Sequence, residues 1–266
     1  MIVELINATD VNKCGGKAVN LQKLMSYGFT VPSGFVLSTD SRAEMTEELK
    51  SNIIRFFKKL DSEYVAVRSS AVVEDGNNDS WAGQLETYLN VTKATLIKAV
   101  EDCWLSARSE RATAYAERTG SQLQPKNVAV IIQSMVDSDV SGVAFSYHPV
   151  TKTDQVVVEA GYGLGEAIVS GSITPDNYII DKSSGVIEKY ISSQDKMLLR
   201  VDGNNDWKNV EEPKRSSQKM SDEKISRLVE DVIKIEKCYG KPMDIEWAFK
   251  DKELYITQAR PITTLR

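Results

Sequence analysis

The chain has 266 residues, enough for one large domain or two small ones packed together. Hydrophobic residues make up 41% and charged residues 27% of it, which argues against wholesale disorder and fibrous repeats. Thirty-three basic against 38 acidic residues leave a net charge of -5, which argues against a surface built for nucleic-acid backbones, so anion chemistry falls to local basic clusters.

Cys14, Cys103 and Cys238 are odd in number, far apart and free of C-x-x-C spacing. That pattern predicts reduced core thiols rather than a disulfide framework or a zinc site. The first ten residues carry Glu4 and Asp10 and lack the basic start, long apolar run and small-residue cleavage site of a secretory signal. The longest unbroken aliphatic run, 128–132, falls far below the roughly 18 apolar residues of a membrane span. A cytoplasmic chain with no membrane contact is the expectation.

In chain order, Gly15-Gly16 opens a helix with Ala18, Leu21, Leu24 and Met25 on one face, stopped by Gly28. A short strand, 64–67, delivers Arg68-Ser69-Ser70, and a polar loop follows over 74–79. A long helical stretch, 92–119, ends at Gly120, and the polar segment 121–127 with Pro125 predicts a boundary between subdomains 1–125 and 126–266. Strands are predicted at 128–136, 141–145, 156–159, 178–181 and 186–191. The segment 202–219 has few apolar residues and reads as an exposed excursion. A helix then runs to Gly240, with Ser221 as its cap, Asp222 and Glu223 in its first turn, and Ile225, Leu228, Val229 and Val232 as its stripe. The mixture predicts an α+β class.

Lys17 stands at the predicted start of a helix, where the macrodipole disfavours a cation. A bound phosphate would offset that, met by the helix amides, by the close approach glycine allows and by the ammonium. The alternative is a solvated lysine after a turn. This is no Walker A loop, because Val11 replaces its first glycine and Ala18 its Ser or Thr. Arg68 ends a buried strand, and Ser80-Trp81-Ala82-Gly83-Gln84 follows the polar loop. Arginine offers a planar fork for phosphoryl oxygens, while Ala82 and Gly83 let backbone amides approach. A carboxylate partner for Arg68 is the alternative.

Residues 244–249 and 254–261 read as a hairpin with alternating faces. With a three-residue loop, 251–253, Glu246 stands opposite Gln258 and Asp244 opposite Arg260, facing Cβ atoms about 5 Å apart. A carboxylate and an amide oxygen on one face suit Mg2+, with Arg260 left to meet a phosphate. A loop with an even number of residues would turn Gln258 to the other face. The alternative is a solvent-facing Asp244–Arg260 salt bridge. Gly161-Tyr162-Gly163-Leu164-Gly165-Glu166 fails as a dinucleotide fingerprint, since Glu166 stands where Gly or Ala belongs; a turn for close packing or one covering a nucleotide is expected. His148, the sole histidine, has no neighbours for a triad and is expected to be structural.

Together these segments resemble the nucleotide-binding domain shared by phosphoenolpyruvate synthase, pyruvate phosphate dikinase and rifampin phosphotransferase. The resemblance is carried, in order along nearly the whole chain, by 15–21 (GGKAVNL), 31–35 (VPSGF), 66–71 (AVRSSA), 81–84 (WAGQ), 142–145 (GVAF), 163–166 (GLGE), 244–247 (DIEW) and 258–263 (QARPIT). It implies an α+β, ATP-grasp-like fold of two subdomains with the nucleotide between them. It implies that Lys17, Arg68 and Arg260 are catalytic phosphate-binding groups and that Ser80, Ala82, Gly83 and Gln84 cover the phosphates. Gln133, Met135 and Val136 would line the adenine pocket, and Glu246 and Gln258 would hold Mg2+.

ATP and Mg2+ are the implied cofactors. The implied activity is AMP-forming phosphorylation of a histidine on a separate carrier domain, for onward transfer to a small-molecule acceptor bound elsewhere. His148 lacks the glycine-rich context of a carrier histidine, so the chain is expected to be an ATP-binding subunit or an excised domain performing a partial reaction. The interval from Pro32 to Arg68 is shorter than the family's. A nucleotide sensor without transfer and an ADP-forming ATP-grasp ligase are the other readings.

Overall fold

The computed structural model describes residues 1–42, 45–72, 86–106 and 128–262. The chain divides into two compact units, one of Met1–Ser26 and Pro32–Met135, the other of Tyr27–Val31 and Val136–Arg266.

In the first unit, β1 (Ile2–Glu4), β2 (Gly34–Leu37), β3 (Val65–Ala71), β4 (Thr87–Val91) and β5 (Val128–Ser134) form an antiparallel sheet ordered β1-β2-β5-β3-β4. Val65, Val67, Val130 and Ile132 pack with Ile53 and Phe57 of α2 (Glu47–Lys59) and with Leu96, Val100 and Trp104 of α3 (Leu96–Ser106) in one core. Strand alternation puts Arg68, Ser70 and Gln133 on the opposite face, and α1 (Val11–Ser26) packs on β3 and β5. The helix expected over 92–119 is seen as α3 as far as Ser106; its remainder falls outside the described residues.

The boundary differs from the one the sequence punctuation suggests. Polar residues and Pro125 mark a break before residue 128, but the strand that follows is clasped between β2 and β3. The chain therefore passes to the second unit after Met135, not at 125/126.

The second unit holds β6 (Val140–Phe145), β7 (Gln155–Tyr162), the four-residue α4 (Glu166–Val169), β8 (Asp176–Asp181) and β9 (Ile187–Tyr190). After these come β10 (Lys196–Val201), β11 (Asn204–Asn209), α5 (Asp222–Tyr239), β12 (Met243–Lys250) and β13 (Glu253–Pro261). Six strands make an antiparallel sheet ordered β13-β12-β6-β7-β8-β9. Ser221 Oγ caps α5 by accepting from Lys224 N at 3.3 Å, and Gly240 closes it at φ 66. Ile225, Leu228, Val229, Val232 and Ile235 form the buried stripe of the helix. Lys224 Nζ lies 5.0 Å over the Phe249 ring, so α5 covers the sheet face that carries Met243, Ile245, Trp247 and Phe249. A Cβ at Gly142 would come within 2.9 Å of the Trp247 ring and 1.8 Å of Glu159 O; this strand accepts the indole only with glycine there.

The excursion expected over 202–219 is in part ordered as strand. β11 pairs with β10 over six residue pairs although all six of its side chains are exposed, so backbone pairing rather than a buried face makes it a strand. Lys219, at the end of the same segment, is buried against Asp176 at 2.9 Å. The three thiols are unbonded, but only Cys14 and Cys103 are buried; Cys238 is exposed. Among the described residues, no helix is long and apolar enough to cross a membrane.

Candidate nucleotide site

Lys17 reaches the strand of Arg68 because α1 is broken. Gly15 interrupts the helix at φ 76, and a Cβ there would lie 2.1 Å from Ser70 O. Only glycine lets the chain pass this close to β3. Beyond the break, Ala18 N donates to Ser70 Oγ at 3.2 Å and Lys17 Nζ donates to Ser69 O at 3.3 Å. The ammonium therefore rests beside the residue that follows Arg68. Val11–Ser26 is thus two helices meeting at Gly15, and the glycines open the second of them as expected. The expected anion cradle differs in one respect: the Ala18 amide is bonded to Ser70 rather than aimed at an open cradle.

Arg68 and Gln133 share one sheet face, and Arg68 Nη1 approaches Gln133 Oε1 at 3.5 Å. Gln133 is buried, and its Nε2 donates to Pro32 O at 3.2 Å, which turns the amide oxygen toward the arginine. Met135 N donates to Tyr64 O at 3.1 Å, and Met135 Sδ accepts from Asn90 N at 2.9 Å. Val136 begins the second unit. Ser80, Ala82, Gly83 and Gln84 lie outside the described residues.

In the second unit the β12–β13 hairpin pairs Glu246 with Gln258 and Asp244 with Arg260. The loop is not the three residues expected: Lys250 pairs with Glu253, leaving a two-residue turn, and the register shifts between Glu246 and Trp247. Trp247 pairs with Ile256 and Glu246 with Gln258, so Thr257 is an extra residue, a β-bulge. Arg260 Nε and Nη2 both donate to Asp244 Oδ2, at 2.9 and 2.8 Å. This ion pair is not the solvent-facing bridge of the alternative reading, since its side chains are only 25% and 13% exposed.

The polar face continues across the sheet. Glu246 lies opposite Val143, Val143 opposite Glu159, and Glu159 opposite Asn177. Burial pushes the Glu159 carboxyl up, with help from the Asp244 charge, while a hydrogen bond from Asn177 opposes the rise. Burial also raises Asp244; Arg260 opposes this and Glu246 adds to it. Crowded carboxylates on a half-buried face are what a hard cation relieves. Among the described residues, no group of three or more His, Cys, Asp or Glu is placed to hold a metal ion. The Glu246–Gln258 pair instead fits Mg2+, which takes one or two protein oxygens and completes its shell from substrate phosphates and water.

His148 is a turn residue: its Nδ1 accepts from Val150 N and Thr151 N, both at 3.2 Å. The glycine-rich turn after β7 serves close packing. Gly163 O accepts from Ser138 Oγ and Ser141 Oγ at 2.9 and 2.6 Å, and Leu164 N donates to Leu198 O at 2.9 Å. Sequence reasoning missed Glu159, Asn177 and Ser70. One signal was available for Glu159, a carboxylate inside the buried apolar run of β7; nothing local sets the β7–β8 register that pairs it with Asn177.

These features sit in a chain of a nucleotide-binding family. Residues 41–266 match the family model described as "Pyruvate phosphate dikinase, AMP/ATP-binding domain", and the chain belongs to that family. Its fold is of the α+β class expected from the sequence. An uncharacterized phosphotransferase of Bacillus subtilis, YvkC, is 38% identical over 94% of this chain and 33% of its own length. A probable phosphoenolpyruvate synthase of Methanothermobacter thermautotrophicus is 35% identical over 98% of this chain and 46% of its own. The phosphoenolpyruvate synthase of Pyrococcus furiosus is 36% identical over 100% and 33%. The chain thus spans between a third and a half of the length of these relatives. The solved D-alanine–D-alanine ligase of Bacillus anthracis is 9% identical, with a TM-score of 0.43 over 98% of this chain and 59% of its own.

Proposed function

We propose that this chain binds Mg-ATP and phosphorylates a histidine presented by a separate carrier domain, with AMP as the nucleotide product. The observation that carries the proposal is the facing pair of Glu246 and Gln258, next to an arginine already aimed by Asp244. In this reading Lys17 and Arg68 neutralise phosphoryl oxygens, and Arg260, oriented by Asp244, meets the phosphate undergoing transfer. Glu246 and Gln258 hold Mg2+, which supplies charge neutralisation at the phosphoryl oxygens. Gln133, Met135 and Val136 line the adenine pocket.

The chain's own part in the step is positioning and electrostatics. An imidazole nitrogen of the carrier forms the new N–P bond at the β-phosphorus. The bond from that phosphorus to the α–β bridging oxygen breaks, its electron pair leaves with AMP, and the β- and γ-phosphoryl groups stay joined on the histidine as a pyrophosphoryl group. The final acceptor, a small molecule, is bound by parts outside this chain.

The test is incubation of the chain with ATP, Mg2+ and a carrier domain taken from a full-length relative. AMP is expected together with an acid-labile pyrophosphohistidine, or with phosphohistidine and one equivalent of phosphate once water has cleaved the terminal phosphoryl group. ADP as product would replace the proposal with a ligase reading. A second reading, nucleotide binding without transfer, has one observation behind it: the M. thermautotrophicus match runs over 311 aligned positions, so that relative carries residues this chain lacks. Tight ATP binding with neither product would favour it.

A further inference from the structure

We propose that Ser70 is the positioning residue for Lys17. The inference rests on the reading of Lys17 as a phosphate ligand and extends it to a side chain with no phosphate contact of its own. After the break at Gly15, the helix of α1 restarts with amides that lack acceptors in the preceding turn. Ser70 meets that need from a strand more than fifty residues away in sequence. Its hydroxyl oxygen accepts from Ala18 N at 3.2 Å, and it is fully buried. The same residue sets how closely the loop approaches, since the space a Cβ would need at Gly15 is taken by Ser70 O and Ser70 Oγ, at 2.1 and 2.4 Å.

Two contacts from one residue thus fix the height and the rotation of the restarted helix on β3. Lys17 lies between them in sequence, and its Nζ lands on Ser69 O at 3.3 Å. Ser69 is itself held, with its Oγ donating to Glu86 O at 3.2 Å and lying 3.2 Å from Cys103 Sγ. The lysine's resting acceptor is therefore anchored to the core face while Ser70 works on the α1 face. Removing the Ser70 hydroxyl leaves the fold of β3 intact but frees the start of the helix, and the ammonium loses its fixed place next to Arg68.

The test is a double-mutant cycle of Ser70→Ala and Lys17→Met, read as Mg-ATP affinity by calorimetry on the whole chain. Loss of one aimed hydrogen bond predicts about a tenfold weakening for Ser70→Ala alone. If Ser70 acts through Lys17, the double variant binds within about twofold of Lys17→Met alone. Wild-type affinity in Ser70→Ala, or losses that multiply in the double variant, would overturn the proposal. Should Ser70→Ala not fold, Ser70→Cys keeps the volume with a weaker acceptor, and the same two outcomes decide. A nucleotide-free readout runs beside it: acetic anhydride labelling of Lys17, followed by mass spectrometry, is faster in the Ser70 variant than in wild type. Faster labelling in a chain that takes up no Mg-ATP overturns the functional reading and leaves the positioning role standing; unchanged labelling overturns the positioning role.

Discussion

Gln258 faces Glu246 because Thr257 is one residue more than its strand needs. With the two-residue turn at Asp251 and Lys252 and no bulge, Thr257 would oppose Glu246 and Gln258 would oppose Ile245 on the core face. The bulge restores the polar register that a three-residue loop would have produced. It also keeps Arg260 opposite Asp244, so one irregularity serves both pairs.

Removing either of the two oxygens proposed to hold Mg2+ tests this arrangement. Gln258→Ala and Glu246→Gln are each expected to raise the Mg2+ concentration needed for half-maximal ATP binding by at least about tenfold. The melting temperature stays within a few degrees, because these side chains lie on the face away from the Trp247 core. Mg2+ titrations at fixed ATP, with circular dichroism melts beside them, measure both.

The Asp244–Arg260 pair predicts an asymmetry. Arg260→Ala leaves Asp244 charged on a face shared with Glu246 and Glu159, whereas Asp244→Asn removes one of the crowded charges. Arg260→Ala is therefore the more destabilising change, by about 2 kcal/mol in urea unfolding at neutral pH. Its cost shrinks as acidification protonates Asp244, whose pKa is already raised in the fold. Equal losses in the two variants would contradict the crowding.

Glu159 gives a pH prediction of definite sign. Its folded-state pKa lies above the ordinary 4.5, so the native state binds the proton more readily than the unfolded chain does. Stability therefore falls as pH rises from about 4.5 through the raised value, and the penalty is fully present above it. Glu159→Gln is expected to raise the melting temperature at pH 7, with the gain fading as pH falls to about 4.5. Thermal melts across that range measure it.

Gly15 predicts the largest single effect in the first unit. Gly15→Ala forces a Cβ onto Ser70 O at 2.1 Å in a left-handed conformation, at a cost of about 3 kcal/mol or more. Gly28→Ala is the control. It shares a positive φ, 86, but a Cβ there meets nothing within 4 Å, so its cost is about 1 kcal/mol. Urea unfolding of the two variants separates backbone strain from the clash with β3.

Much of the second unit was legible because its signals are local. Ser221, Asp222, Glu223 and Gly240 bracket α5 by capping chemistry alone, and the alternation of Asp244 to Phe249 fixes a face before any partner is known. Non-local features were not legible. The central place of β5, which moves the unit boundary to Met135, depends on strands that pair across more than fifty residues. The join of Ser70 to Ala18 and the row from Glu246 to Asn177 depend on tertiary register. The β10–β11 hairpin escaped because its outer strand has no apolar face to betray it. The glycines before Lys17 were legible as a close approach, but to Ser70 of the chain itself.

The most direct test of the account is a calorimetric titration of the intact chain with ATP, in Mg2+ and again in EDTA. Saturable one-to-one binding is expected, weakening at least about tenfold without the metal and abolished in the Lys17→Met, Arg68→Ala double variant. No binding heat in Mg2+, or binding that the double variant retains in full, would contradict it.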